Sequence, residues 1–136
     1  MNFKLHTPPT VEPVTLQEAK DHLRVTDDAE AALISELIST SREYCESYTN
    51  RSFITQTWTA FANSFDSVMT LKPNLQSVTS IKYIDMSVTQ QTLPVTEYDI
   101  DVNALTGTTY PAFSKTWPTA RDVTNAIEIE FVAGYG

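Results

Sequence analysis

Between residues 15 and 50 the apolar positions recur at steps of three and four, and after residue 52 they alternate with polar ones. The first rhythm belongs to helices with one apolar face, the second to strands of a half-buried sheet. Thr15 followed by Glu18 forms a capping box, which predicts a helix start with Leu16, Ala19 and Leu23 on one face. Lys20, Asp21 and Arg24 then point mainly toward water. Val25, Thr26, Asp27 and Asp28 interrupt the pattern, and Asp27 with Glu30 repeats the cap spacing, so a second helix is predicted to start at this point. Its stripe of Leu33, Ile34, Leu37, Ile38, Ser41, Tyr44, Cys45 and Tyr48 predicts one buried face. The helix is expected to end near Thr49 and Asn50, since asparagine tolerates the left-handed conformation common there.

The alternation begins in FITQTWTAF, where Ile54, Gln56, Trp58 and Ala60 oppose Phe53, Thr55, Thr57, Thr59 and Phe61. VMTL, SIKYID, EYDIDV and AIEIEFV are further strand candidates, separated by the turn signals KPN, LTG and WPTARD. Helices first and strands after them predict an α+β fold: an N-terminal antiparallel helix pair packed against a mostly antiparallel β-sheet or small barrel. Pro8, Pro9 and Pro13 make residues 1–14 an extended arm lying on the surface or on a neighbour. One domain is expected, with the arm over 1–14, the helical pair over 15–50 and the β-rich part over 51–136. FVAGYG follows the last strand directly, and its glycines read as the start of a turn.

Composition narrows the function classes. A net charge of −8 repels phosphate backbones, which argues against holding DNA on a basic face. The single cysteine forms no internal disulfide, and one cysteine with two histidines falls short of any zinc-finger spacing. No apolar h-region opens the chain, and no apolar run is long enough to span a bilayer.

The candidates for chemistry each have a plainer explanation. Lys20 and His22 stand two positions apart on a helix and do not face each other, while Asp27 and Asp28 serve better as caps. Asp99 and Asp101 share a strand face and have the chemistry to hold a hard cation or serve a hydrolase, but no base, nucleophile or calcium-loop glycine accompanies them. Half-exposed alternation explains them, and likewise Glu128 and Glu130. Cys45 falls at a core-facing position, where cysteine is commonly a small hydrophobe. Trp58, Trp117, Tyr44, Tyr48 and Tyr135 have the shape of stacking platforms, and a small tail-associated module binding a sugar or peptide is the alternative they raise. Core and subunit interface are the commoner uses of such aromatics.

Leu16, Ala19-Lys20 and His22-Leu23-Arg24-Val25, then the acidic turn, the long helix and Thr49-x-Arg51, resemble the N-terminal half of phage head-tail connector proteins. SVTSIKYID and YPAFSKTWPTARDVTNAIEIEFVAGYG look like the β-rich variant of that family. The resemblance implies a structural adaptor without enzymatic activity or cofactor, made in the host cytoplasm and located in the virion at the head-tail interface. It implies a homo-oligomeric ring, usually of twelve copies, between the portal protein and the next neck or tail protein, with DNA passing through unbound and no membrane involved. Two departures stand out: family members commonly continue past AGYG into helices that join the first two, and Asn50 stands where glycine is frequent. The candidate contact set is Pro8, Pro9 and Pro13 of the arm, Lys20 and Arg24 of the first helix, and a strand edge near Gln56 and Trp58.

Overall fold

A computed structural model describes residues 1–136 and shows an α+β fold. In chain order the elements are β1 (Asn2–Thr7), α1 (Leu16–Leu23), α2 (Ala31–Thr49), β2 (Gln56–Ala62), β3 (Met69–Pro73), β4 (Leu75–Ile84), β5 (Gln90–Leu93), β6 (Tyr98–Asp101), β7 (Thr106–Pro111) and β8 (Ile127–Ala133). A single 3₁₀ turn, Val95–Glu97, leads into β6. Five strands form one sheet in the order β1-β2-β8-β4-β5, and three form a second in the order β3-β7-β6. All pairings are antiparallel. Of the two forms predicted, open sheets are therefore the one present.

The core lies between the sheets. β8 runs through the middle of the larger sheet and buries Ile127, Ile129, Phe131 and Ala133 on one face, as its alternation demands. Against them pack Ala60 of β2, Ile81 of β4, Met69 and Leu71 of β3, and Tyr98 of β6. Burying each large side chain contributes roughly 1.5–3 kcal/mol. Two glycines serve close approaches. A Cβ on Gly107 of β7 would overlap the Leu75 side chain, and Gly134, at φ +144°, lies where a Cβ would meet the Ile54 carbonyl carbon at 2.6 Å.

No helical residue belongs to this cluster. The helical pair is joined to the sheets by polar contacts instead. Arg42 of α2 donates to Glu12 and Glu46 at 2.7 Å each, and Glu46 in turn accepts from the Phe53 backbone and the Gln56 amide at 2.7 Å.

Several sequence expectations change. Residues 1–14 are extended, but Asn2–Thr7 is a strand of the larger sheet, paired to β2. β2 is consequently not an edge: Trp58 sits between β1 and β8, and Gln56, paired with Ala133 of β8, is buried. α2 begins at Ala31 rather than at Asp27, because the Asp27 carboxylate accepts from the Ala29 amide in a local turn and Glu30 makes no side-chain cap. β5 and β7 lie where no strand was predicted. Thr106 and Gly107, read as a turn, are inside β7.

Candidate functional site

The capping box at the start of α1 forms as the sequence predicts. The Thr15 hydroxyl accepts from the Glu18 amide at 3.1 Å, and the Glu18 carboxylate accepts from the Thr15 amide at 2.8 Å. The bonds that the Thr15 amide and the Thr15 hydroxyl donate to this carboxylate hold it below its ordinary range. Arg24 closes the helix in the left-handed region at φ 58°, and its side chain is exposed. Lys20 is different: it is only 7% exposed, and its ammonium donates to Asp28 at 2.6 Å. The prediction that it faces water is thus overturned. The loop after α1 folds back over it, and the bond holds the Asp28 carboxyl below its ordinary range.

The predicted stripe on α2 shares one face, but that face is largely uncovered. Ile34 is buried, whereas Leu33 and Leu37 are about half exposed at 51% and 53%, and Tyr44, Cys45 and Tyr48 are exposed as well. α1 is too short to cover a helix of 19 residues. Between the two helices lies an open, mostly apolar groove of about 500 Å³, walled by Pro13, Val14, Ala19, Leu23, Ile34, Leu37, Ile38 and Phe53 among others. Tyr44 and Tyr48 stack on each other at 6.4 Å on the outer flank.

A second cleft, about 300 Å³, lies along the other side of α2 and gathers Pro8, Pro9, Gln56 and Trp58, four of the sequence candidates. Pro13 lines the apolar groove, while Lys20 and Arg24 line neither. The cleft also holds residues that periodicity did not single out. Lys72 stands over the Trp58 ring at 4.3 Å and the Phe3 ring at 5.4 Å. Burial pushes its ammonium down in pKa, and the Glu46 charge opposes that shift. Arg42 lies on the cleft wall with its side chain 6% exposed, and the hydrogen bond to Glu12 comes first among the causes that raise its pKa. The spacing of Arg42 and Glu46, four residues apart on one helix, was the available signal for this pair.

The two tryptophans are packed. Trp58 donates to the Ser52 hydroxyl at 3.0 Å, and Trp117 stacks on Phe65 at 4.6 Å while donating to the Asp66 carbonyl. Both are partly buried: Phe65 covers one face of Trp117, and the Lys72 ammonium stands over the Trp58 ring. Asp99 is exposed on β6, and Asp101 beside it is half-buried with its carboxylate accepting from the Asn103 amide. The surface that stands out is therefore adhesive: an apolar helix face flanked by a polar cleft, suited to docking another protein.

Comparison with known proteins agrees with that character. The family model described as phage gp6-like head-tail connector protein matches residues 13–99, which contain both helices and strands β2 to β5. No curated relative is found by sequence comparison. Among solved structures, the whole chain aligns with 72% of a chain in the neck of an empty gene transfer agent particle computed with C6 symmetry, at TM-score 0.79 and 19% identity. It aligns with 73% of a chain in the virion of a native gene transfer agent particle, at TM-score 0.78 and 20% identity. A chain from the neck of the native particle computed with C12 symmetry gives TM-score 0.75 and 21% identity over 71% of its length. These likenesses establish a shared fold, and the match over residues 13–99 establishes kinship: the chain belongs to the phage gp6-like head-tail connector family.

Proposed function

We propose that this protein is the adaptor subunit of a phage or prophage neck, twelve copies of which form a ring between the portal and the next neck or tail component. The observation that carries this reading is the family match over residues 13–99. The open face of α2 supports it, since Leu33, Leu37, Tyr44 and Tyr48 gain from burial only when another chain covers them. The C6 and C12 symmetries named for the necks that share the fold are compatible with twelve subunits. Charge is unevenly placed: residues 12–49 carry nine acidic and three basic side chains, a net −6 of the total −8. If the helical layer lines the ring, DNA slides past an acidic wall without sticking; a basic lumen in the assembled ring's potential map would remove that part of the proposal.

In the assembly, Pro8, Pro9 and Pro13 carry the chain along the two grooves, and Arg24 is the free cation of α1. Gln56 and Trp58 form the wall of the polar cleft. Lys20 has a supporting part, holding the loop that joins the helices. Electron microscopy of the purified chain with its portal tests the reading, with closed rings of about a dozen copies expected. A chain that ignores the portal and binds a glycan array instead would overturn it. Arg24→Glu should weaken ring assembly while leaving the monomer's unfolding midpoint unchanged, as sedimentation and urea titration would read.

A further inference from the structure

Two sheets leave four strand edges, and their side chains are not interchangeable. β1 and β5 border the larger sheet, β3 and β6 the smaller one. β1 presents Lys4 and His6, both exposed and neither in an ion pair. β5, QQTL, has no charge, and β3 carries Lys72 and ends in Pro73. β6 alone among the edges carries carboxylates, Asp99 and Asp101.

The alternation matches as well as the charge. In β1, Phe3 and Leu5 lie on the core face, across from Ala60 and Trp58, and each remains about 40% exposed at the sheet border. Lys4, one position out of phase, lies on the opposite face. In β6, Tyr98 and Ile100 share the core face, with Ile100 exposed at 39%, while Asp99 and Asp101 lie on the other. An antiparallel register that sets Lys4 opposite either aspartate also sets Phe3 and Leu5 opposite apolar residues, Ile100 and Tyr98 or Val102 and Ile100, because a strand repeats every two residues.

We propose that β1 of one copy pairs edge to edge with β6 of the next, joining the larger sheet of each subunit to the smaller sheet of its neighbour. This inference rests on the ring reading and supplies its subunit joint. In antiparallel register Lys4 stands opposite Asp99, Phe3 opposite Ile100 and Leu5 opposite Tyr98, with Asn2 opposite Asp101. Unlike edges meet, so the contact is heterologous and repeats around a ring rather than closing a pair. Pairing β1 with β1, or β1 with β3, would offer Lys4 no carboxylate. The joint also covers the exposed backbone groups of two edges, which otherwise invite unspecific pairing.

The test places cysteines at the joint, in the full chain carrying Cys45→Ser, co-expressed with its portal. Directly opposed residues bring their α-carbons within disulfide range, so Lys4→Cys with Asp99→Cys should yield a reducible ladder of linked subunits after oxidation. Each single variant should yield none. Rings without a ladder overturn the joint and leave the ring reading standing; the absence of rings from the parent chain with its portal overturns both. A second pair covers the case of a cysteine variant that does not fold. Lys4→Glu should raise the concentration for half-assembly about threefold or more, and adding Asp99→Lys should restore it. Failure of that rescue, with both variants folded by circular dichroism, also overturns the joint.

Discussion

Gly107 shows what a single position hides. In Leu105-Thr106-Gly107 it has the look of a turn residue, yet it lies inside β7, where its missing side chain lets Leu75 of β4 approach. Such a contact joins residues far apart in sequence, so no local pattern announces it. Lys20 is a similar case: helical periodicity placed it toward water, whereas it is buried and its ammonium bonds Asp28, beyond the end of the helix. Thr15 and Glu18 were legible because both partners lie within one helical turn. Gly107→Ala should force Leu75 from a packed site and lower stability by about 1–3 kcal/mol. The urea midpoint measures this, with the far-ultraviolet circular dichroism spectrum retained. An unchanged midpoint would mean that Leu75 moves aside freely.

α2 was read correctly as a stripe and wrongly as a covered one. Periodicity shows which residues share a face; what that face meets depends on the rest of the fold or on another chain. What attaches the helix to the sheets is polar, and Glu12 is central to it: Arg42 donates to its carboxylate at 2.7 Å and Ser39 at 2.8 Å. The Arg42 hydrogen bond, ahead of every other cause, holds the Glu12 carboxyl below its ordinary range, against the opposing effect of burial. The folded state therefore binds its proton less readily than the unfolded state. Its contribution is complete above the ordinary glutamate range and disappears as pH falls through the lowered value. Glu12→Gln should thus cost about 1–2 kcal/mol at neutral pH, a figure reduced for partial solvent exposure. The gap from the parent should begin to narrow as pH falls below the ordinary glutamate value, about 4.3, and close only below the lowered one. Urea titrations across that range decide it, since a gap that persists unchanged into acid would point to lost packing rather than lost charge.

For the molecule as a whole, the order of helices and strands made the α+β class legible, and the AIEIEFV alternation marked a strand where β8 lies. The pairing of β2 with β8 was beyond reach, because strands separated by more than sixty residues carry no local record of their register. Nor did the hydrophobic pattern show that the core is confined to the sheets, with the helical pair outside it. That division has a dynamic consequence. Opening the helical layer breaks the Arg42 network and exposes Ile34, whereas opening β8 exposes Ile127, Ile129 and Phe131 together and requires separation from both β2 and β4. Regions with few buried apolar contacts open at lower free energy than the global transition. In native-state hydrogen exchange, the slowest amides of α2 should exchange at least about tenfold faster than those of β8, a difference of about 1.4 kcal/mol. Assembly should then slow the α2 amides selectively, because its open face is covered while β8 is already buried. Equal protection of the two elements in the free chain would contradict the division of the core. Slowing of β8 alone on assembly would place the subunit contacts somewhere other than the helix face.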